Sequence, residues 1–194
     1  MNKPKLILIG GGGHCKSCID IIEQENKYEI AGILDVKEKI GEKISNYAFI
    51  GTDEDLEELS KKNNFFLITL GQIKSAEKRI TLFNKLISLN ANIPNVISPL
   101  AYVSKHSLIG KGTIIMHHAI VNAGAKVGDN CIINTKALIE HDALIEDHCH
   151  ISTGAIINGG VKVGSGTFYG SGAVTREYTT IPANSFIKAN SIAK

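Results

Sequence analysis

From Val103 onward an aliphatic residue recurs at every sixth position. The series reads Val103, Ile109, Ile115, Val121, Val127, Ile133, Ile139, Ile145, Ile151, Ile157 and Val163, and Tyr169 takes the next place. Four residues after each stands a small or β-branched residue: Ser107, Thr113, Ala119, Ala125, Cys131, Ala137, Ala143, Cys149, Ala155, Val161, Thr167 and Ala173. Neither a helical period of 3.6 nor a strand alternation of two produces that spacing. A six-residue period with an aliphatic knob and a small partner predicts a parallel β-helix. Three units close one coil, so residues eighteen apart stack about 4.8 Å above one another.

The N-terminal third alternates strands with helices. Lys5–Ile9 is a short apolar run suited to a buried parallel strand, and Gly10–Gly13 ends it. Cys18, Ile19, Ile21 and Ile22 predict a helix, and Tyr28–Leu34 a second strand closed by Asp35. Thr52 or Asp53 is placed to cap an acidic helix through Leu59, and Phe65–Leu70 reads as a third strand ending at Gly71. Ser75 is placed to cap a helix through Leu89, with Ile80, Phe83, Leu86 and Ile87 on its apolar face. The pattern predicts a Rossmann-like α/β domain over residues 1–95 and a β-helix domain over 96–194, its coils spanning about 97–187 before a short tail.

Composition narrows the partners. With 43% hydrophobic residues and a net charge of +2, the 194-residue chain reads as globular, and no basic run with interleaved aromatics points to nucleic acid. No apolar run approaches the about 20 residues of a membrane span, and the start is unlike a secretory signal, so the expected location is cytoplasmic. Cys131 and Cys149 occupy the small-residue position eighteen apart and are expected to stack in the core. Cys15 and Cys18 form a C-x-x-C at a helix start, where a thiolate would be stabilised, but no thioredoxin-like feature accompanies them.

The turn Gly10-Gly-Gly-Gly-His14 between strand and helix offers backbone amides and a helix dipole to an anion. The dinucleotide pattern G-x-G-x-x-G fails, because Cys15 stands in its third glycine position. The expected ligand is therefore a nucleotide or nucleotide-sugar, with His14 as a hydrogen-bond donor to it. Six further histidines lie in the repeats: His106, His117, His118, His141, His148 and His150. His106 and His148 read as solvated turn residues. His141 lies between Glu140 and Asp142, so a carboxylate is available to orient its ring, and one coil away stand the tiny Ala123 and Gly159. Those features mark His141 as a candidate general base. No metal is expected, since His117 and His141, 24 residues apart, fall on different faces.

Together these segments resemble the NeuD/PglD-type sugar acyltransferases of the hexapeptide-repeat superfamily. The resemblance rests on Gly10–His14 after the first strand, Asp35 at the end of the second, Gly71, the hexads, and above all Asn134–Asp142 and His148–Gly154. It implies a left-handed β-helix, a homotrimer with sites between subunits, and acetyl-CoA as co-substrate along the β-helix groove. It assigns His141 as base and Asp142 as its orienting carboxylate. On the cofactor side it places His150 near the thioester carbonyl and Gly159 and Ser171 along the CoA channel. Gly12, Gly13, His14, Asp35, Val36 and Gly71 would hold the nucleotide-sugar. The implied reaction is N-acetylation of a nucleotide-linked 4-amino-4,6-dideoxy sugar in bacterial glycan biosynthesis, by direct transfer. O-acetylation of a sialic-acid-type sugar and a non-catalytic binding scaffold are the alternatives. Two departures stand out: the tail Ile187–Lys194 lacks the Gly-rich ending of many relatives, and Asp142 stands where relatives often carry Glu.

Overall fold

The computed structural model describes residues 3–62 and 64–193. Its N-terminal part is a five-stranded sheet with helices on both faces. Strand β1 is Lys5–Ile9, followed by helix α1 (Gly13–Glu25), β2 (Glu29–Leu34), β3 (Lys43–Ile44), β4 (Tyr47–Gly51), α2 (Leu56–Ser60), β5 (Phe65–Ile68) and α3 (Glu77–Ser88). The sheet order is β3-β4-β2-β1-β5, parallel except for the β3–β4 pair. Leu6, Ile7, Leu8 and Ile9 are all buried because β1 is covered on both faces. Leu6, Leu8 and Leu67 pack on Cys15, Cys18, Ile19 and Ile22 of α1, while Ile7, Ile9, Phe66 and Ile68 pack on Leu82, Phe83 and Leu86 of α3.

The short β3–β4 hairpin was not expected from the sequence. Phe49 on β4 is buried and lies beside Gly11, so this hairpin shields the end of the glycine turn. In the acidic segment Thr52 does cap, through a capping box with Asp55, but the first turn is a 3-10 helix over Asp53–Asp55. The face of α3 differs from expectation as well. Arg79, Leu82, Phe83 and Leu86 are its buried residues, whereas Ile87 is exposed. The charged Arg79 turns inward because carbonyl acceptors wait for it there.

The C-terminal part is a parallel β-helix of seventeen two-residue strands, from Val96–Ile97 to Ile192–Ala193, arranged in three sheets. The register steps by eighteen residues, with Val121 paired to Val103 on one side and Ile139 on the other. The aliphatic residue of each hexad points inward, where it stacks with the small residues of the adjoining sides in one continuous core. Burying each such Val or Ile contributes about 1.5–3 kcal/mol. Cys131 and Cys149 lie in that core, with the Cys149 amide donating to the Cys131 sulfur at 3.4 Å. The coils begin where expected, at Val96–Ile97, but extend past the expected limit at the C-terminal end, to Ile192–Ala193. Ile97 and Ile187 pack against the core at the two ends, and the strand Ile192–Ala193, with Ala193 in the core, makes the expected tail part of a further coil. Thr175 interrupts the aliphatic series, yet it is tolerated inside because its hydroxyl accepts from the Asn158 amide at 2.8 Å.

A left-handed backbone conformation also recurs every six residues, from Gly112 through His118, Gly124, Asn130, Lys136, Asp142 and His148 to Asn190. It turns each corner of the coil, and where no glycine stands there the residue accepts a strain of about 1–2 kcal/mol. The two parts of the chain meet along one sheet of the β-helix. Val96, Ile114 and Met116 join the α1 core, so α1 is sandwiched between the N-terminal sheet and the coils.

Candidate active site

His141 lies on the turn between the strands Leu138–Ile139 and Leu144–Ile145. Its Nδ1 stands 3.0 Å from Asp142 Oδ2, and its backbone amide donates to Glu140 Oε2 at 3.2 Å. Asn122, one coil below, donates to the same Glu140 oxygen at 2.9 Å. The carboxylate bond sets the tautomer: Nδ1 carries the proton, and Nε2 is left with the lone pair. Hydrogen bonding to Asp142 raises the pKa of His141 above 6.5; slight desolvation opposes that and the charges of Asp142 and Glu140 add to it. Asp142 owes its position to the corner, where its φ of 59° turns the side chain back toward its neighbour. The next coil, on the side away from Asn122, presents Gly159 against the ring. A β-carbon there would lie 2.6 Å from His141 Nε2, so only glycine leaves the imidazole its place.

A second constellation surrounds the glycine turn. Gly10 and Gly11 are closely packed, against Leu70 and Phe49 respectively. Added β-carbons at Gly12 and Gly13 would meet no atom within 4 Å, so those two glycines face open space at the N-terminus of α1. Asp35 binds the turn through the Gly11 amide at 2.6 Å and also accepts from the Val36 amide at 2.7 Å and Lys39 at 3.0 Å. Desolvation works to raise its carboxyl, but these donors outweigh it and hold the pKa below the ordinary value. A cleft of 380 Å³ opens beside it, lined by Gly10, Asp35, Val36, Thr52, Asp53 and Lys78 among others. This is the crevice at the carboxyl ends of the parallel strands, where open α/β sheets receive ligands.

Between the two parts of the chain lies a cluster of imidazoles. His14, in the first turn of α1, has its ring 6.5 Å from that of His150, and Gly71 lies over its stem, where an added β-carbon would stand 3.7 Å from the His14 β-carbon. His14 Nε2 is buried and, among the described residues, has no hydrogen-bond partner. Burial, then the charges of Arg79 and His150, lower its pKa to about 3. His150 is buried, with Nδ1 2.5 Å from the Gln72 carbonyl and Nε2 3.0 Å from Asn134 Nδ2. Burial lowers its pKa to about 4, against the hydrogen bond to Gln72. Because a carbonyl only accepts, Nδ1 holds the ring's proton, and no N–H of His150 is free in this arrangement.

The structure thus gathers His141, Asp142 and Gly159 at one corner, and His14, Gly71 and His150 at another place within the same chain. Gly12, Gly13, Asp35 and Val36 adjoin the latter. His150 belongs to the sheet facing the N-terminal part, whereas His141 lies between the other two sheets. Ser171 occupies a third position, its hydroxyl 2.9 Å from that of Ser152. His106 is exposed, as expected, but His148 is not a solvated turn residue. Its ring packs edge-on against Phe83 at 5.5 Å, and Nδ1 meets Asn130 at 3.0 Å, because α3 covers that corner. Cys15 and Cys18 are buried and desolvation raises both thiols, which opposes a thiolate. Sequence reasoning missed Arg79, Gln72 and Asn130, and gave Asn134 no role within its segment. The available signal was Arg79 itself, a charge in helical phase with Leu82, Phe83 and Leu86.

Comparison with known proteins follows the same division. Residues 5–86 match the model of the PglD N-terminal domain, and residues 106–141 match that of the bacterial transferase hexapeptide. The chain is 30% identical to the acetyltransferase domain of PglB from Neisseria gonorrhoeae, with a TM-score of 0.92 over 99% of this chain and 92% of that one. This chain belongs to the NeuD/PglD-type sugar acyltransferases. That domain has also been solved in complex with acetyl coenzyme A, with the same TM-score. Perosamine N-acetyltransferase from Caulobacter crescentus, solved as a His-to-Asn variant with CoA and GDP-perosamine, is 28% identical, with a TM-score of 0.91 over 98% of this chain and 88% of that one. An uncharacterized protein of Acanthamoeba polyphaga mimivirus is 33% identical over 119 residues, but the match spans only 22% of its length. Membership of the family gives the coils their hand: the C-terminal part is a left-handed parallel β-helix of hexapeptide repeats. Among the described residues no helix is long and apolar enough to cross a membrane.

Proposed function

We propose that this protein transfers the acetyl group of acetyl-CoA to the amine of a nucleotide-linked 4-amino-4,6-dideoxy sugar, within the cytoplasmic assembly of a bacterial glycan. The observation that carries this reading is the exposed His141 ring, oriented through Nδ1 by Asp142 and seated on Gly159, with the lone pair left to Nε2. The amine attacks the thioester carbonyl as His141 Nε2 takes its proton. The tetrahedral intermediate then collapses, and the departing thiolate of CoA recovers a proton from the imidazolium. A fixed ring and two bound substrates supply the proximity that direct transfer requires. The sugar nucleotide lies with its diphosphate at Gly12 and Gly13 and its nucleoside in the cleft of Asp35 and Val36. His14 and Gly71 border the sugar. Gly159 and Ser171 line the path of CoA, and His150 forms part of its wall near the acetyl group.

His141 and His14 occupy different sides of one chain, so the working site is composed by two copies within a homotrimer. The outward residues of one β-helix sheet support that assembly. Tyr102, Ile120, Leu138, Ile156, Val174 and Ile192 form an unbroken apolar column, with Tyr102 59% and Ile192 66% exposed. An apolar stripe rising through six coils, about 24 Å, is the kind of surface that subunits bury. Thiol release from acetyl-CoA with a panel of nucleotide-linked 4-amino sugars tests the reaction, with free sialic acid beside them. Turnover of an amino sugar that is lost in His141→Ala supports the proposal; turnover of sialic acid alone, or binding without turnover, refutes it.

A further inference from the structure

Arg79 is 1% exposed and, among the described residues, makes no ion pair. A buried cation without a carboxylate is costly and persists only where many acceptors surround it. Here Nη1 donates to the carbonyls of Ile68 and Leu70, both at 2.8 Å, at the end of β5. Nη2 donates to the backbone oxygen of Asn130 at 3.0 Å and to its Oδ1 at 2.6 Å, on a corner of the β-helix. One guanidinium therefore ties the loop above His14 to the coil stacked directly against the one that carries His148 and His150.

Those contacts have directional consequences. With Oδ1 held by Arg79, Asn130 must point Nδ2 away, where it donates to the Arg79 carbonyl and to His148 Nδ1 at 3.0 Å. His148 Nδ1 is thus an acceptor, and its proton resides on Nε2. Leu70, held by Nη1, leads into Gly71 and Gln72. Gln72 donates to the His148 carbonyl at 2.9 Å and offers its own carbonyl to His150 Nδ1. The other side of His150 is equally determined, because Asn134 Oδ1 accepts from the Thr135 amide at 2.8 Å and so presents Nδ2 to His150 Nε2.

We propose that Arg79 is a positioning residue of the acceptor site: by fixing Leu70–Gln72 and Asn130 it dictates the ring orientation and tautomer of His148 and His150 and the cover over His14. The inference rests on the acetyl-transfer reading for what the site does, though not for how the rings are held. The electrostatics agree with the geometry. The groups facing Arg79 are Cys18 of α1, Cys131 of the coil core and the rings of His14, His148 and His150. Asp129 and Asp147 act on His148 in the opposite sense. All three imidazoles are shifted down, by burial first and with the Arg79 charge adding to it. Arg79 itself is lowered by burial to about 10 and stays charged at neutral pH.

The test uses the full chain and two substitutions, Arg79→Met and Asn130→Asp, read by the imidazole ¹⁵N shifts through a pH titration and by acetyl transfer. Asn130→Asp keeps a partner for the guanidinium, but its carboxylate cannot donate to His148. The expected result is that His148 Nδ1 acquires a proton and titrates above its wild-type value. Arg79→Met should move His14 and His150 upward from about 3 and about 4. It should also lower kcat/KM for the sugar nucleotide by about tenfold or more, with KM for acetyl-CoA within about twofold. If Arg79→Met does not fold, Asn130→Asp decides alone. Unchanged ¹⁵N signatures in a folded variant overturn the proposal. A wild-type protein without transferase activity overturns the functional reading instead, while the ¹⁵N spectra still decide the role of Arg79.

Discussion

Gly159→Ala is the sharpest probe of the catalytic corner. The new β-carbon would lie 2.6 Å from His141 Nε2 and 2.8 Å from Cε1. Non-bonded atoms of that kind rest about 3.5 Å apart, so the imidazole must withdraw by about 1 Å. The backbone of Gly159 does not take a left-handed φ, and the nearest atoms belong to the far end of a side chain. The ring can therefore swing outward without disturbing the coil, but it gives up its 3.0 Å alignment with Asp142. A displacement of about 1 Å between reacting groups costs about 10² in rate, equivalent to about 2.7 kcal/mol of barrier. We expect kcat for thiol release to fall by about that factor, with a melting temperature within about 4 °C of wild type. Adding His141→Ala should cost little more, since both changes remove the same base. A Gly159→Ala enzyme with wild-type kcat would refute the placement of His141 at the reaction centre.

Further outcomes are expected. Because the carboxylate bond raises His141 above 6.5 and the base must be unprotonated, kcat/KM should rise with pH through a value above 6.5; Asp142→Asn should move that limb to lower pH, and an unmoved limb would deny the pairing. His14 and His150 are held neutral, at about 3 and about 4, against 6.5 in the unfolded chain. The unfolded state therefore binds more protons below pH 6.5, and stability should decline as pH falls from there toward 4, a slope that His150→Gln should reduce in urea titrations. Gly13→Val should raise KM for the sugar nucleotide without altering the melting temperature, since its side chain would enter open space; an unchanged KM would put the diphosphate elsewhere. Ala137→Phe, in a fully buried inward position, should cost about 1–3 kcal/mol or more by overpacking, measured by denaturant titration.

The coils were legible because their period is a direct consequence of geometry: each side of the prism needs one inward knob, and Val103 through Tyr169 supply it. The C-terminal end was harder to read: the coils were expected past Thr175, whose hydroxyl bond to Asn158 lets it stand inside, but not as far as Ile192–Ala193. His141 stood out through the neighbouring carboxylate and the glycine eighteen residues on. The junction was not legible. The fate of His148, Gln72 and Arg79 depends on how two parts of the chain dock, and no periodicity within either part encodes that contact. The β3–β4 hairpin escaped for a simpler reason: its strands are short, and only Ile44 and Phe49 mark its buried apolar face.

The eighteen-residue step between His141 and Gly159 makes the coil a ruler. Each turn touches only the turns above and below it, so stability and shape propagate one rung at a time. A whole rung inserted after the coil of Gly159 would lengthen the groove by about 4.8 Å and leave the base, its carboxylate and its glycine seat untouched. An insertion between the two residues would instead part the ring from its seat. The architecture thus separates what must stay constant, the proton transfer, from what is free to vary, the length available to the molecules that reach it.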